Sequence, residues 1–277
     1  MNRRHFLLLG AFAPFAGAAE LLPRWTPGTL DIHHISTGKG NCAFVRCPDG
    51  STLVIDAGAT ARTGRVSRQY PNSDRSVAAW IADYIHAFAG DDVRIDNVFL
   101  THFHGDHIGD PGPASPRSKD GNWVLAGITE LATLIPVHRI LDRGWPDYNY
   151  PSPLRGRTID NYRAFLKWHV QNGGQVERAR PGSKAQMQLR YPDRYPEYAA
   201  RTIAANGEVW TGKGDQTRQC FPPLSGLPRS EYPEENVCCA SLLISYGPFR
   251  YFHSGDTNGF LQYGTPRWHD METPIAE

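Results

Sequence analysis

Thr101-His102-Phe103-His104-Gly105-Asp106-His107-Ile108-Gly109 is the stretch on which the reading of this chain turns. It follows Val98-Phe99-Leu100, an apolar run that reads as a buried strand. Three imidazoles and a carboxylate fall within six positions of a chain with 11 His in 277 residues, a density that a chance polar loop does not explain. Neutral imidazole and carboxylate are the donors that suit zinc and related divalent ions. His102 and His104 are two apart, so an extended backbone points both the same way. Asp106 and His107 lie just beyond, where Gly105 allows the chain to turn. One loop at the end of a strand can therefore feed two adjacent metal positions. The arrangement is not the helical H-E-x-x-H pattern, because the spacing differs and a strand leads into it.

Outward from this loop the chain reads as a mixture of short strands and helices. Leu30 to Ile35, Cys42 to Cys47 and Thr52 to Asp56 are predicted strands joined by Gly/Asp turns, an antiparallel meander. A helix is predicted from about Asp74 to Phe88 with Ser73 as N-cap, because Val77, Trp80, Ile81, Tyr84, Ile85 and Phe88 recur at helical spacing. Ile95 to Thr101 is the strand that delivers the metal loop. A helix near Ile128 to Leu134, a strand at Val137 to Leu141 and a helix over Thr158 to Asn172 follow. Residues 175 to 235 mix Pro, Arg, Tyr and Gly and give only fragments such as Gly207 to Trp210. Ala240 to Tyr246 and Phe249 to Ser254 read as a hairpin across Gly247-Pro248. Periodicity alone gives a mixed α/β domain.

The histidine motif His102-x-His104-x-Asp106-His107 resembles the signature of the metallo-β-lactamase superfamily. Two further segments resemble its strands: Leu53-Val54-Ile55-Asp56-Ala57-Gly58 upstream, and Phe249-Arg250-Tyr251-Phe252-His253-Ser254-Gly255-Asp256 downstream. The resemblance runs from about Leu30 to Asp256 and is weak between about Pro111 and Glu235. It implies a four-layer αββα sandwich over residues 28–277, lacking its C-terminal closing elements. It also implies a metal-dependent hydrolase, in which His102 and His104 bind a first divalent ion, Asp106 and His107 a second, and Asp256 bridges both. Two such ions, zinc first and manganese or iron as alternatives, would activate a water for attack. By the same resemblance Asp106 is the catalytic residue that orients the nucleophile and shuttles a proton. Asp56 holds the histidine loop by hydrogen bonds from behind the metal ligands.

The family pattern calls for two more histidines. For the first, His138 and His169 are the candidates, although an ordinary surface or core role is the default for both. Asn236 to Ser241 is a possible replacement, as in the branch that resembles the hydrolase domain of bacterial DNA-uptake proteins, which is the nearest branch on this reading. After Asp256 only His269 follows, in Pro266-Arg267-Trp268-His269-Asp270, so the expectation is that the given chain stops short of the closing strand. His253 is three residues before Asp256 and faces the other way on a regular strand. His33 or His34 could touch substrate or simply end a strand. Arg143, Trp145 and Tyr148 lie in an aromatic-rich loop that either lines a groove or packs locally.

Met1 to Ala19 reads as an export signal. Arg3 and Arg4 precede an uncharged apolar stretch from Phe6, and Ala16-Gly17-Ala18 is a cleavage site. Arg3-Arg4-His5-Phe6-Leu7 resembles a twin-arginine signal, which exports folded, cofactor-loaded proteins. An ordinary secretory signal and an uncleaved anchor are the alternatives. The apolar stretch is shorter than the ~20 residues of a membrane-spanning helix, so no span is expected beyond it. The mature protein is expected in the periplasm or outside a bacterial cell. Net charge is +1 with no block of Lys or Arg, so nothing points to nucleic acid as a partner. Five Cys leave at least one unpaired, and Cys42 and Cys47 should face opposite sides of one strand.

The function expected from the sequence is an exported hydrolase of an ester or phosphodiester bond, acting on a small-molecule or phosphodiester substrate. Antibiotic-degrading relatives usually lack the bridging carboxylate, which puts a β-lactam or lactone hydrolase second. A non-catalytic, metal-dependent binding protein is the third reading.

Overall fold

The computed structural model describes residues 23–59, 72, 74–259, 262 and 264–277. The expected export signal and Ser73 lie outside these residues. The chain begins as the predicted meander, β1 (Asp31–His34), β2 (Ala43–Arg46) and β3 (Thr52–Ile55). Helix α1 (Val77–Ala89) then carries the chain to β4 (Ile95–Phe99), which lies parallel to β3 with Val54 opposite Val98. Beyond the short helix α2 (Gly105–Ile108), helix α3 (Ile128–Leu134) leads to β5 (Val137–Asp142). Helix α4 (Arg157–Gln171) leads to β6 (Gln175–Arg178), and both new strands continue the parallel side. The first sheet thus runs in sequence order from β1 to β6.

The second sheet is antiparallel and uses β7 (Tyr198–Ala205), β8 (Glu208–Trp210), β9 (Thr217–Gln219), β10 (Ser241–Tyr246) and β11 (Phe249–His253). Its order is β11-β10-β7-β8-β9. Most of it comes from the stretch that the sequence leaves unparsed: β8 and β9 are three residues each, too short to show alternation. The long β7 was hidden because its Tyr-Ala-Ala-Arg start is weakly apolar.

The alternation of side chains explains the layering. Phe44, Val54, Val98, Leu100 and Ile140 face the helices and pack with Ile81 and Ile85 of α1, Leu131 of α3, and Tyr162, Phe165 and Leu166 of α4. Ala43, Val45, Leu53, Ile55, Phe99 and Leu141 face the other way and meet Ala200, Leu242 and Ile244 of the second sheet. β3 and the C-terminal halves of β4 and β5 are buried on both sides, which is why Leu53-Val54-Ile55, Val98-Phe99-Leu100 and Ile140-Leu141 read as apolar runs. A third, smaller cluster of Val209, Phe221, Val237 and Met271 packs with Trp268 and Ile275, where helix α5 (Glu272–Ala276) covers part of the second sheet. This is the two-sheet, mixed α/β architecture of the αββα sandwich.

Several local expectations shift. The first helix starts at Val77, not Asp74, because the Ser76 hydroxyl accepts the Ala79 N–H at 3.1 Å and caps it. Strand β4 ends at Phe99 because the Thr101 N–H turns aside to the Asp56 carboxylate at 2.9 Å. Trp145 and Tyr148 border a cavity of about 540 Å³ beside α4, whereas Arg143 packs locally, and the expected loop divides between the two readings. Arg143 and Tyr148 are both fully buried. Asp142, at the end of β5, accepts the hydroxyls of Tyr148 and Tyr162 at 2.7 and 2.8 Å and the backbone N–H groups of Gly144 and Trp145. Cys42 packs in the helix-side core and Cys47 in the core between the sheets, so they do face opposite ways. All five cysteines are free thiols.

Candidate metal centre

The centre forms where the C-terminal ends of β3 and β4 meet the end of β11. The backbone there is unusually close-packed. Asn41 N–H donates to the Asp106 carbonyl at 2.8 Å, and Ala57 N–H to the His107 carbonyl at 2.9 Å. Gly58 lies so near that a Cβ on it would fall 2.2 Å from the Asp106 carbonyl carbon and the His107 nitrogen. Only glycine admits this approach. His104 caps α2, with Ile108 N–H donating to its carbonyl at 3.0 Å. The expected turn at Gly105 is therefore the first turn of a short helix, which carries Asp106 and His107.

Asp56 organises the loop from beneath. It is wholly buried and sits at φ +55°, a left-handed conformation that Asp tolerates better than most residues. Its carboxylate accepts the Thr101 N–H, the Thr101 hydroxyl at 2.8 Å and the His107 Nδ1–H at 2.8 Å. With its proton committed to Asp56, the Thr101 oxygen accepts from His102 Nδ1 at 3.1 Å. The network assigns both imidazoles the tautomer that leaves Nε2 as the outward-facing donor.

His102, His107 and Asp256 present ligand atoms that all lie within 4.8 Å of one another. His107 Nε2 is 3.1 Å from Asp256 Oδ1, and His102 Nε2 is 3.0 Å from His104 Nδ1. Burial, then the neighbouring His107 and His104, hold His102 far below the usual imidazole range, so it is a neutral donor. Burial also pulls His107 down, but hydrogen bonds to Asp256 and Asp56 more than offset this and raise it to about 10. The contact with His107 keeps the Asp256 carboxyl below its ordinary range despite the opposing effect of burial. A neutral His102 imidazole and an ionised Asp256 carboxylate, with orienting partners behind the histidines, fit a divalent cation once His107 gives up its proton. A cation at His107 Nε2 has to displace a proton.

The other candidates fall elsewhere. Asp106 is half-buried on α2 and stands outside the His102–His107–Asp256 group. His253 is engaged by the Gly255 N–H at 3.2 Å and the Asn41 side-chain amide at 3.3 Å. His138 is exposed near the start of β5, the opposite end of the parallel strands from the site. His169 is buried on α4 against the Phe165 ring. His269 is buried beside Trp268, with Nε2 3.0 Å from the Glu231 carbonyl. His33 turns to Tyr84 at 3.0 Å, and the exposed His34 lies against Tyr251.

Sequence reading missed Glu235. Its carboxylate accepts the Phe103 N–H at 2.8 Å and pairs with the fully buried Arg143. It thereby ties the segment ahead of β10 to the middle of the metal loop. No motif signals it, because its partners lie far away in sequence.

A family model described as the metallo-beta-lactamase superfamily matches residues 35–168, a segment that holds Asp56 and the whole histidine motif but not Asp256. Over that segment the chain is recognised as metallo-β-lactamase superfamily. The match does not single out the DNA-uptake branch. No curated protein matches the sequence. Among solved structures, the chain is similar to CmlA, a diiron beta-hydroxylase from Streptomyces venezuelae, at 14% identity over 91% of this chain and 33% of that one, with a TM-score of 0.41. It is similar to hydrolase AbOPH at 14% identity over 85% of this chain and 64% of that one, with a TM-score of 0.40. A metallo-beta-lactamase HARLDQ motif mutant from Cronobacter sakazakii shows 13% identity over 92% and 73%, with a TM-score of 0.44. The chain spans about a third of the length of CmlA.

Proposed function

We propose that the protein is an exported hydrolase that holds two divalent ions, zinc first, and cleaves an ester or phosphodiester bond. The match to a superfamily of metal-dependent hydrolases supports the general activity. The observation that carries the reading is the cluster of His102, His107 and Asp256 with its donor nitrogens preset by Thr101 and Asp56. His102, His104, His107 and Asp256 would hold the metal, with Asp106 completing the second position. A bound divalent ion supplies an activated water and polarises the bond under attack. The chain's own part is to hold the donors in place. Asp56 and Thr101 fix the imidazoles, and Glu235 fixes the Phe103 amide between His102 and His104. In hydrolysis the water oxygen bonds to the acyl carbon or phosphorus, the bond to the leaving oxygen breaks, and that oxygen takes up a proton. Asp106, on the first turn of α2, is the proposed carrier of that proton. The leader-like residues 1–19 support a periplasmic or secreted location.

The test is metal content by plasma mass spectrometry, with turnover of bis(p-nitrophenyl) phosphate, p-nitrophenyl acetate and nitrocefin. Two metals per chain, loss of metal in Asp256→Ala and turnover of either ester are expected. Nitrocefin turnover alone would move the lactam reading to first place. Metal without any turnover would leave a binding protein. The position of Asp106 outside the cluster favours a second reading of the centre, in which His102, His107 and Asp256 hold a single ion. A stoichiometry of one would support it.

A further inference from the structure

A cavity of about 250 Å³ opens beside the metal loop, and its lining includes Phe103, His104, Leu154, Arg155, Arg157 and Glu235. The charges around it do not cancel evenly. Glu235 is committed to Arg143 and the Phe103 amide. Arg157 reaches Asp110 only at 3.5 Å, and both its side chain and that of Arg155 are exposed. Thr158 Oγ1 donates to the same Asp110 carboxylate at 3.2 Å, and Asp160 Oδ2 accepts the Gly156 N–H at 3.3 Å. Arg155 has no ion-pair partner among the described residues. Two guanidinium groups, one unneutralised and one loosely held, therefore border a cavity that the candidate metal ligand His104 also lines.

Resting on the hydrolase reading above, we propose that this cavity is an anion subsite in which Arg155 and Arg157 select a phosphodiester over a neutral ester. A planar guanidinium matches two phosphate oxygens at once, and a neutral ester offers no comparable partner. The subsite adjoins His104, so a phosphoryl group held there lies next to the metal donors. Phe103 and Leu154 give the cavity apolar surface for the ester's organic part. Neither arginine belongs to the metal cluster, so removing them leaves the ligands and their supports intact.

The experiment uses the full chain loaded with zinc and the double variant Arg155→Gln/Arg157→Gln. Dimethyl phosphate binding by calorimetry is the readout that does not depend on turnover. Binding is expected to weaken about 10- to 100-fold in the variant, as for a lost charged hydrogen bond, with zinc content unchanged. In turnover, kcat/KM for bis(p-nitrophenyl) phosphate should fall by a similar factor through KM, while p-nitrophenyl acetate changes less than about twofold. Arg155→Lys should recover only part of the loss. Equal binding of dimethyl phosphate to parent and variant, no binding to the parent, or an equal loss on both esters would overturn the proposal. If nitrocefin turnover were the activity lost instead, the anion recognised would be a carboxylate and the phosphodiester assignment would fall. A parent that binds dimethyl phosphate through these arginines but hydrolyses nothing would uphold the subsite and sink the hydrolase reading.

Discussion

Replacing Glu235 with Ala should damage the protein more than any ordinary loop substitution. Arg143 is fully buried, and Glu235 takes two of its guanidinium nitrogens, while Tyr150 O and Asn206 Oδ1 take the third. Removing one member of a buried pair leaves an uncompensated charge and costs about 3–5 kcal/mol. The Glu235 side chain is 17% exposed, so water reaches the gap and the lower end, about 3 kcal/mol, applies. The Phe103 N–H also loses its acceptor. For a chain of this size such a loss lowers Tm by about 6–12 °C. Thermal melts followed by circular dichroism, with and without added zinc, measure it. Arg143→Met combined with Glu235→Leu removes both charges and should recover more than half of the loss. If Glu235→Ala melts within about 2 °C of the parent, or the double variant is no better than the single, the pair does not anchor the metal loop as argued.

Three further outcomes follow from the same geometry. Gly58→Ala drives a methyl group into the Asp106–His107 backbone and should cut bound metal by more than half without touching a ligand, whereas Gly226→Ala, which meets nothing within 4 Å, should leave it unchanged. Plasma mass spectrometry of both variants decides this. Asp56→Asn keeps the shape but removes the charge behind His107, so affinity for zinc in a chelator-dye competition should drop about 10- to 100-fold. Unaltered affinity would mean that Thr101 alone orients the site. Burial lowers the His169 pKa, against weaker upward pulls from the His138 and Gln175 backbone. The unfolded chain then binds the extra proton first, so this contribution is full above about pH 6.5 and is lost as pH falls through that value towards the folded pKa. His169→Leu should flatten the decline in urea midpoint between pH 7 and pH 5, and parallel slopes for parent and variant would refute the account.

The parts of the fold that could be read from sequence are those whose physics is local. The meander from β1 to β3 announces itself by Gly/Asp turns, and α1 by its apolar spacing, although its start was set by which serine captures an amide. The double burial of β4 showed only in the apolar run Val98-Phe99-Leu100 at its end, because Asp96 and Asn97 interrupt the strand before it. The histidine motif was legible because its donors are adjacent. What stayed hidden depends on distant partners: β7 becomes a central strand only because β10 lies beside it. Arg143 reads as a surface cation until Glu235, Tyr150 and Asn206 close around it. The histidines expected to complete the centre could not be judged from spacing. His138 lies exposed on β5, while His169 on α4 and His269 beyond β11 are taken up by local packing.

The donors of the centre come from two sheets, His102 and His107 from the loop after β4 and Asp256 from the end of β11. While the chain is being synthesised, the histidines emerge long before the carboxylate that completes their group. Tight capture of an ion by all three donors would thus wait for the second sheet to dock, and would report that both halves are in place. By mass action an ion at a thousand times its dissociation constant adds about 4 kcal/mol to the docked state. Depriving the protein of metal would accordingly loosen the seam between the sheets first and leave the helix-covered core to unfold later.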